Sequence, residues 1–402
     1  MPKQMITFLR PQNFLSFGPD FPGIKLGSLS ILVGPNGCGK SNLLEAVSFM
    51  RAAPRDFRDV TRKGGGVGEW IWKGDPKGTA EVEIRVPPIK GLFAVQRDGV
   101  PLPDIAHHVE FEVVAQSFRL KDERIEEVEK RSKDERDVYF YYRYQHGSPM
   151  VNTHGGDKKG LARDTLEPNL SILAQRRDPE TYPHLARLAQ DYERVRIYRE
   201  WTFGRNAVFR EPQKADARND ALAEDFSNLG LVLNRLRVKS PKTKRQLLEK
   251  LRDLYGDITD FDVSIEGGTV QVIFSEGDFS IPATRLSDGT LRYLCLLAIL
   301  LDPEPPPLVC IEEPELGLHP DLLPTIADLL VDLSTRTQVI ATTHSEMLVD
   351  CMTERPESVV VCEKHEGKTE MRRLSSEELK VWLEHYRLGQ LWMEGQLGGK
   401  RW

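Results

Sequence analysis

What this chain lacks narrows it first. It contains no run of about eighteen apolar residues, so no segment is expected to span a membrane. Its opening, MPKQMITFLRPQNF, has none of the apolar core of a secretory leader, which predicts a soluble, cytoplasmic protein. Cysteine is scarce. Cys38, Cys295, Cys310, Cys351 and Cys362 follow no metal-site spacing, and several sit in apolar runs, so reduced, mostly buried thiols are expected rather than a disulfide framework. Neither charge dominates: 55 basic residues stand against 61 acidic ones, a net −6, so any nucleic-acid contact must come from a local patch. There is no internal repeat and no long heptad pattern, which excludes a solenoid and a coiled-coil arm.

Within 402 residues, 40% hydrophobic content is ample for a full core in two or three domains or lobes. Residues 5–33 read as strands with a turn, ending in the apolar run Leu29 to Val33, a buried strand. A helix follows, with Leu43, Leu44, Val47 and Met50 on one side. TRKGGGVGEWIWKG reads as a Gly-rich loop. From about 79 to 150 the pattern is short strands: TAEVEIRV, HVEFEVVAQSF and DVYFYYRYQ. The charge run between the last two, Arg119 to Asp137, is balanced and reads as a solvated face. From about 165 to 256 the pattern turns helical, and DVSIEGGTVQVIFSEGDFSI then reads as three strands joined by tight turns. The resulting division is 1–165, a nucleotide lobe with a strand-rich insert; 166–302, a helical lobe with the hairpin; and 303–402, the returning part of the nucleotide lobe.

The chemistry starts at GPNGCGKS, Gly34 to Ser41, between a predicted strand and a predicted helix. That is a phosphate-binding loop: glycines let backbone N–H groups face the phosphates, and the helix N-terminus adds its dipole. Gly34, Asn36, Gly37, Gly39, Lys40, Ser41 and Asn42 are the expected ATP contacts. Lys40 neutralises phosphate charge and the Ser41 hydroxyl binds Mg²⁺. Downstream, LVCIEEPE is an apolar strand ending in Glu312 and Glu313. Beside a phosphate loop, the first acid at such a place helps hold Mg²⁺ and the second polarises the attacking water. IATTHS ends a further strand with His344, placed to donate to the γ-phosphate or to orient water. RLSDGT begins another helix; Ser287 and the N–H groups near Gly289 offer donors and a positive dipole end.

The order of phosphate loop, LSDGT, paired acids and His resembles the ABC-type ATPases, specifically the RecF, SMC and OLD branch. NFLSFG, Asn13 to Gly18, resembles the start of that branch. LSDGT resembles its signature, IEEPELGLHP its Walker B and D-loop, and TTHS its H-loop. The closing LGQLWMEGQLGG resembles the end of bacterial RecF/OLD-like AAA-type proteins associated with phage defence. The resemblance implies an α/β, two-lobed ABC-type P-loop fold: a mixed-sheet nucleotide lobe with a strand-rich insert, and a helical lobe. It implies a homodimer that sandwiches ATP, with Ser287 reaching the partner's γ-phosphate, and hydrolysis that uses Lys40, Glu313 and His344. Gln175 is the candidate Q-loop residue, and Arg62 and Lys63 stand at an R-loop position, as nucleotide or DNA contacts or as a plain solvated loop. No Toprim nuclease domain fits in residues 345–402, so a separate effector or nuclease chain is expected, in anti-phage defence or DNA processing. The alternative is a RecF-like repair ATPase that binds DNA directly through the basic stretch Arg235 to Lys250. The long gap before LSDGT argues against a transporter subunit.

Overall fold

Leu29–Val33 is buried at every position. A strand apolar on both faces needs cover on both sides, and it sits inside a sheet sandwiched between two cores. The computed structural model describes residues 4–88, 103–131, 136–145, 148–153, 157–202, 204, 207–211 and 213–399. In chain order, β1 (Phe8–Gln12), β2 (Ile24–Lys25) and β3 (Leu29–Val33) lead into α1 (Lys40–Arg51) and α2 (Phe57–Lys63). β4 (Ala80–Val86), β5 (Ile105–Val114), β6 (Ser117–Glu127), β7 (Phe140–Gln145), β8 (Ser148–Asn152) and β9 (Lys158–Gly160) follow. Next come α3 (Ile172–Gln175), α4 (Pro183–Arg194), β10 (Arg196–Tyr198), β11 (Gln213–Lys214), α5 (Leu229–Lys239) and α6 (Pro241–Leu254). β12 (Ile258–Glu266), β13 (Thr269–Glu276) and β14 (Phe279–Pro282) precede α7 (Asp288–Leu300). The remaining elements are β15 (Leu308–Glu312), α8 (Leu323–Arg336), β16 (Gln338–Thr343), α9 (Glu346–Asp350), β17 (Val359–His365), β18 (Lys368–Arg373), α10 (Ser376–Leu383) and α11 (Leu388–Met393).

Among the described residues three sheets form. The central one has six strands in the order β10-β15-β16-β3-β17-β18, parallel except at β18. Its alternating side chains divide between the cores. Ile31, Val309, Ile311, Val339 and Ala341 join α7 and α8 on one face; Leu32, Cys310 and Ile340 join α1 and the antiparallel sheet on the other. The second sheet is antiparallel with eight strands, β2-β1-β4-β5-β6-β7-β8-β9. The third is small: β13 pairs with β12 along one edge and with β11 and β14 along the other. It packs with α5, α6 and α7 in the first core. Among the described residues no helix is long and apolar enough to cross a membrane.

The expected α/β architecture is present, with several local corrections. HVEFEVVAQSF is two strands, because Ala115 and Gln116 both take positive φ, 49° and 62°, and close a β5–β6 hairpin. The charge run is no solvated face: Arg119 to Glu127 lies in β6, with Glu123 and Glu127 buried. Glu123 accepts from the Ile172 N–H at 2.9 Å and lies 3.0 Å from His107 Nε2, so burial is matched by polar partners. Residues 132–135 of that run, and 400–402 of the tail, lie outside the described residues. Arg62 and Lys63 close the last turn of α2 rather than a loop, capped at the start by Asp56. The helical stretch after 165 is interrupted by β10, which pairs with β15 and so belongs to the central sheet.

Candidate nucleotide site

The site forms where β3, β15 and β16 end, side by side. β16 lies between the strand that feeds the phosphate loop and the strand that carries the paired acids. The parallel strands therefore deliver Gly34, Glu313 and His344 to one edge of the sheet. The loop conformation depends on glycine. Gly34 and Gly39 have φ of 151° and 106°. A Cβ on Gly34 would run into the Cys362 carbonyl, and one on Gly39 into the Thr369 hydroxyl, with Ser16 Oγ 2.8 Å away.

Lys40 is almost fully buried, and its ammonium donates to the carbonyls of Gly34 at 2.8 Å and Pro35 at 3.0 Å. Its neighbour Cys38 has a thiol held below its ordinary range by a hydrogen bond with Cys362 and by the Lys40 charge, while burial pushes Cys362 up. Asn36, Gly37 and Ser41 are exposed along the loop. Asn42 turns the other way and donates to Ser16 Oγ at 2.7 Å. Thr369 Oγ1 donates onward, 2.6 Å from Ser16 Oγ and 2.8 Å from the Cys38 carbonyl. The NFLSFG turn and β18 thus buttress the loop from behind. Sequence reasoning missed Ser16 and Thr369 as loop supports; the Ser inside NFLSFG was the available signal, and nothing local marks Thr369.

The Ser41 hydroxyl donates to the Glu312 carboxylate, which brings together the two groups expected to share Mg²⁺. Both offer hard oxygen ligands, the donor type Mg²⁺ takes, so this pair fits the ion. Glu313 sits at φ 47°, in the left-handed region. Its N–H donates to the Thr342 carbonyl at 3.1 Å, and its carboxylate Oε1 lies 3.5 Å from His344 Nε2. Behind them Glu315 accepts from Thr343 Oγ1 at 2.6 Å and from the His344 N–H at 2.9 Å; burial raises its pKa.

Two residues that sequence reasoning missed hold the paired acids by their backbone. Trp201 Nε1 donates to the Glu312 carbonyl at 2.7 Å, and Arg292 Nη2 donates to the Glu313 carbonyl at 3.0 Å. The Arg292 guanidinium also lies over the Trp201 ring, 4.4 Å from its centroid. Arg292 stands five residues beyond Ser287 on α7, so the RLSDGT helix and the acids are physically joined within one chain.

Ser287 is the N-cap of α7: its Oγ accepts from the Thr290 N–H at 3.1 Å. Ser287 and Asp288 are exposed, and Arg210 ties this turn down by an ion pair to Asp288 at 2.6 Å and a bond to the Leu286 carbonyl at 3.0 Å. The bonds of Ser287 are thus within its own helical turn, while Ser41, Glu312, Glu313 and His344 are brought together. Gln175 is not among them. Its amide donates to the Leu170 and Glu167 carbonyls at 2.9 and 3.2 Å and accepts from the Glu167 N–H at 2.7 Å. Arg62 and Lys63 are exposed. The basic stretch is partly neutralised: Arg235 is buried against Asp302 at 2.5 Å, Arg237 pairs with Asp262 and Lys244 with Asp260, leaving Lys239, Lys242 and Arg245 exposed.

Comparison with known proteins gives a family and a fold. A family model described as "AAA domain, putative AbiEii toxin, Type IV TA system" matches residues 29–350. No curated protein matches the chain. Among solved structures, an SMC head bound to the C-terminal winged-helix domain of ScpA is similar at a TM-score of 0.58 and 14% identity, covering 93% of this chain and 99% of that one. An SMC head with an extended coiled coil bound to the C-terminal domain of ScpA, from Pyrococcus furiosus, gives a TM-score of 0.58 at 15% identity, covering 94% and 98%. One from Pyrococcus yayanosii, with a coiled coil and joint, gives 0.51 at 12%, covering 94% and 99%. At these identities the likeness is one of fold, the ABC-type P-loop fold of SMC heads.

Proposed function

The chain belongs to the AAA domain family matched over residues 29–350, and from that premise we propose that it is a Mg²⁺-dependent ATPase that works as an ATP-sandwich dimer. The observation that carries the reading is the meeting of Ser41 with Glu312, and of Glu313 with His344, around one phosphate loop. Lys40 leaves the loop carbonyls to bind phosphate oxygens, and Ser41 and Glu312 hold the ion. When bound, the ion offsets negative charge on the phosphates. Glu313 takes up or orients the attacking water, and His344 fixes the Glu313 carboxylate and faces the γ-phosphate. A sandwich needs a donor from the far side of the nucleotide. Ser287, exposed at the start of α7, and the half-buried Gly289 supply it from the partner copy. Gln175 joins the site only by exchanging its local amide bonds for the nucleotide.

ATP binding thereby couples to assembly, and hydrolysis releases it, so the enzyme acts as a switch. We place that switch in a bacterial defence or DNA-processing system, acting with a separate effector or nuclease chain in the cytoplasm. The family description as a toxin of a Type IV system, and an SMC head seen with a partner domain, support this role. Direct DNA binding by Arg235 to Lys250 is the lesser reading, because three of its cations are paired to aspartates. The test is Glu313→Gln. Turnover should fall by about a hundredfold or more, while ATP stays bound and dimers accumulate on size exclusion. Wild-type turnover by this variant would remove Glu313 from the reaction.

A further inference from the structure

We propose that the eight-stranded sheet carries a second metal site, for a divalent transition-metal ion such as Zn²⁺, built from His108, Glu110 and Asp122. The strand geometry sets it up. His108 and Glu110 are two apart on β5 and so share one face. Asp122 on β6 stands directly opposite Glu110. The register then slips: Phe111 pairs with Leu120, which leaves Lys121 as an unpaired bulge residue. Bulges re-aim side chains, and this one brings both Lys121 and Asp122 to the Glu110 side. One ligand atom from each of His108, Glu110 and Asp122 lies within 4.8 Å of the others.

Among the described residues, His108 and one oxygen of Asp122 make no hydrogen bond. The His108 ring is 7% exposed, and the described residues give it no hydrogen bond. Asp122 Oδ1 is buried with no partner. One oxygen of each carboxylate is occupied: Lys121 Nζ lies 2.7 Å from Glu110 Oε1, and Arg124 Nε 2.9 Å from Asp122 Oδ2. The His108 imidazole, one oxygen of Glu110 and one oxygen of Asp122 are what converge.

Zn²⁺ sits about 2.0–2.2 Å from nitrogen and oxygen ligands, which spaces them by about 3–4 Å. Side-chain rotations close the remaining gap. One imidazole with two carboxylates suits Zn²⁺ or Mn²⁺, and three protein ligands leave a position for water. The charge around the cluster is mixed, acids and bases interleaved across the strands. Glu81 on β4 stands directly opposite Glu110, and Glu83 opposite His108. Opposed like charges destabilise a sheet. The basic groups facing this cluster, Lys121, Arg124 and Arg10, are drawn to Glu110, Asp122 and Glu83 respectively. The site lies on a different sheet from the nucleotide loop, so its ion is independent of ATP.

The test uses the full chain, stripped with EDTA and titrated with zinc chloride by calorimetry, in wild type and in Asp122→Asn, His108→Gln and Ser41→Ala. Wild type should bind one zinc that Ser41→Ala keeps. Asp122→Asn and His108→Gln should each weaken it by about a hundredfold or more. Asp122 is part-exposed and its Asn variant keeps the shape, so the test survives if His108→Gln fails to fold. Cobalt substituted for zinc should give a visible spectrum of nitrogen and oxygen ligation that Asp122→Asn abolishes and ATP leaves unchanged. No zinc uptake by wild type, or equal uptake by wild type and Asp122→Asn, overturns the proposal.

Discussion

Replacing Arg292 by Met separates holding Glu313, the proposed water-orienting carboxylate, from holding the fold. The guanidinium donates a charge-assisted bond to the Glu313 carbonyl, and such a bond contributes about 1.5–3 kcal/mol. Its cation–π contact with Trp201 adds up to about 2 kcal/mol when desolvated. Burial opposes both: desolvation takes the Arg292 pKa down to about 10. A drop of that size corresponds to about 3 kcal/mol against the charged form. The two sides nearly cancel, and Met keeps an apolar stem packed on Trp201. Global stability should therefore change by less than about 2 kcal/mol, read by urea denaturation. Catalysis has no such compensation. Glu313 sits at a left-handed φ that costs about 1 kcal/mol or more, held by Thr342 at its N–H and Arg292 at its carbonyl. Freed at one end, its carboxylate moves, and displacements near 1 Å cost up to about a hundredfold in rate. Phosphate release should fall by about ten- to a hundredfold, while ATP affinity, proposed to rest on Lys40 and Ser41, should stay put. Unchanged turnover with normal folding would refute the clamp. A stability loss above about 4 kcal/mol would show that Arg292 is a structural pillar instead.

Gly39→Ala should abolish ATP binding without unfolding the chain, since its Cβ meets Thr369 and Ser16 at a φ of 106°; nucleotide titration beside circular dichroism checks this. Asp302→Ala should cost about 3–5 kcal/mol, because Arg235 is then buried without its partner, whereas Arg235→Met with Asp302→Leu should recover most of that loss in urea denaturation.

The phosphate loop, the paired acids and His344 were legible because each is a short local pattern at a strand end. Their convergence follows from strand order, which the sequence does not spell out. The clamp was illegible for the same reason: Trp201 follows a three-residue strand, and Arg292 sits in an apolar helix where it reads as an isolated charge. The reading of 119–137 failed on one residue. β6 buries Phe118 and Leu120, then shifts by one at Lys121 and buries Glu123, Ile125 and Glu127. A bulge breaks the period of two, and glutamates fill inward positions where sequence reasoning expects apolar residues. Similarly, the basic stretch looked like a patch because the partners of Arg235, Arg237 and Lys244 lie 16 or more residues away along the chain.

In the proposed dimer each active site is shared between two copies. Lys40→Ala disables the loop of its own chain, and Ser287→Arg disables only what that chain lends its partner. Each variant alone should be inactive. Mixed one to one, half the dimers pair the intact loop of the Ser287→Arg chain with the intact Ser287 of the Lys40→Ala chain. The mixture should then regain about a quarter of wild-type ATP turnover, as a two-fold dimer with one intact site in each mixed pair requires. A mixture as inactive as its components, with mixed dimers demonstrated by differential tagging, would contradict the shared site.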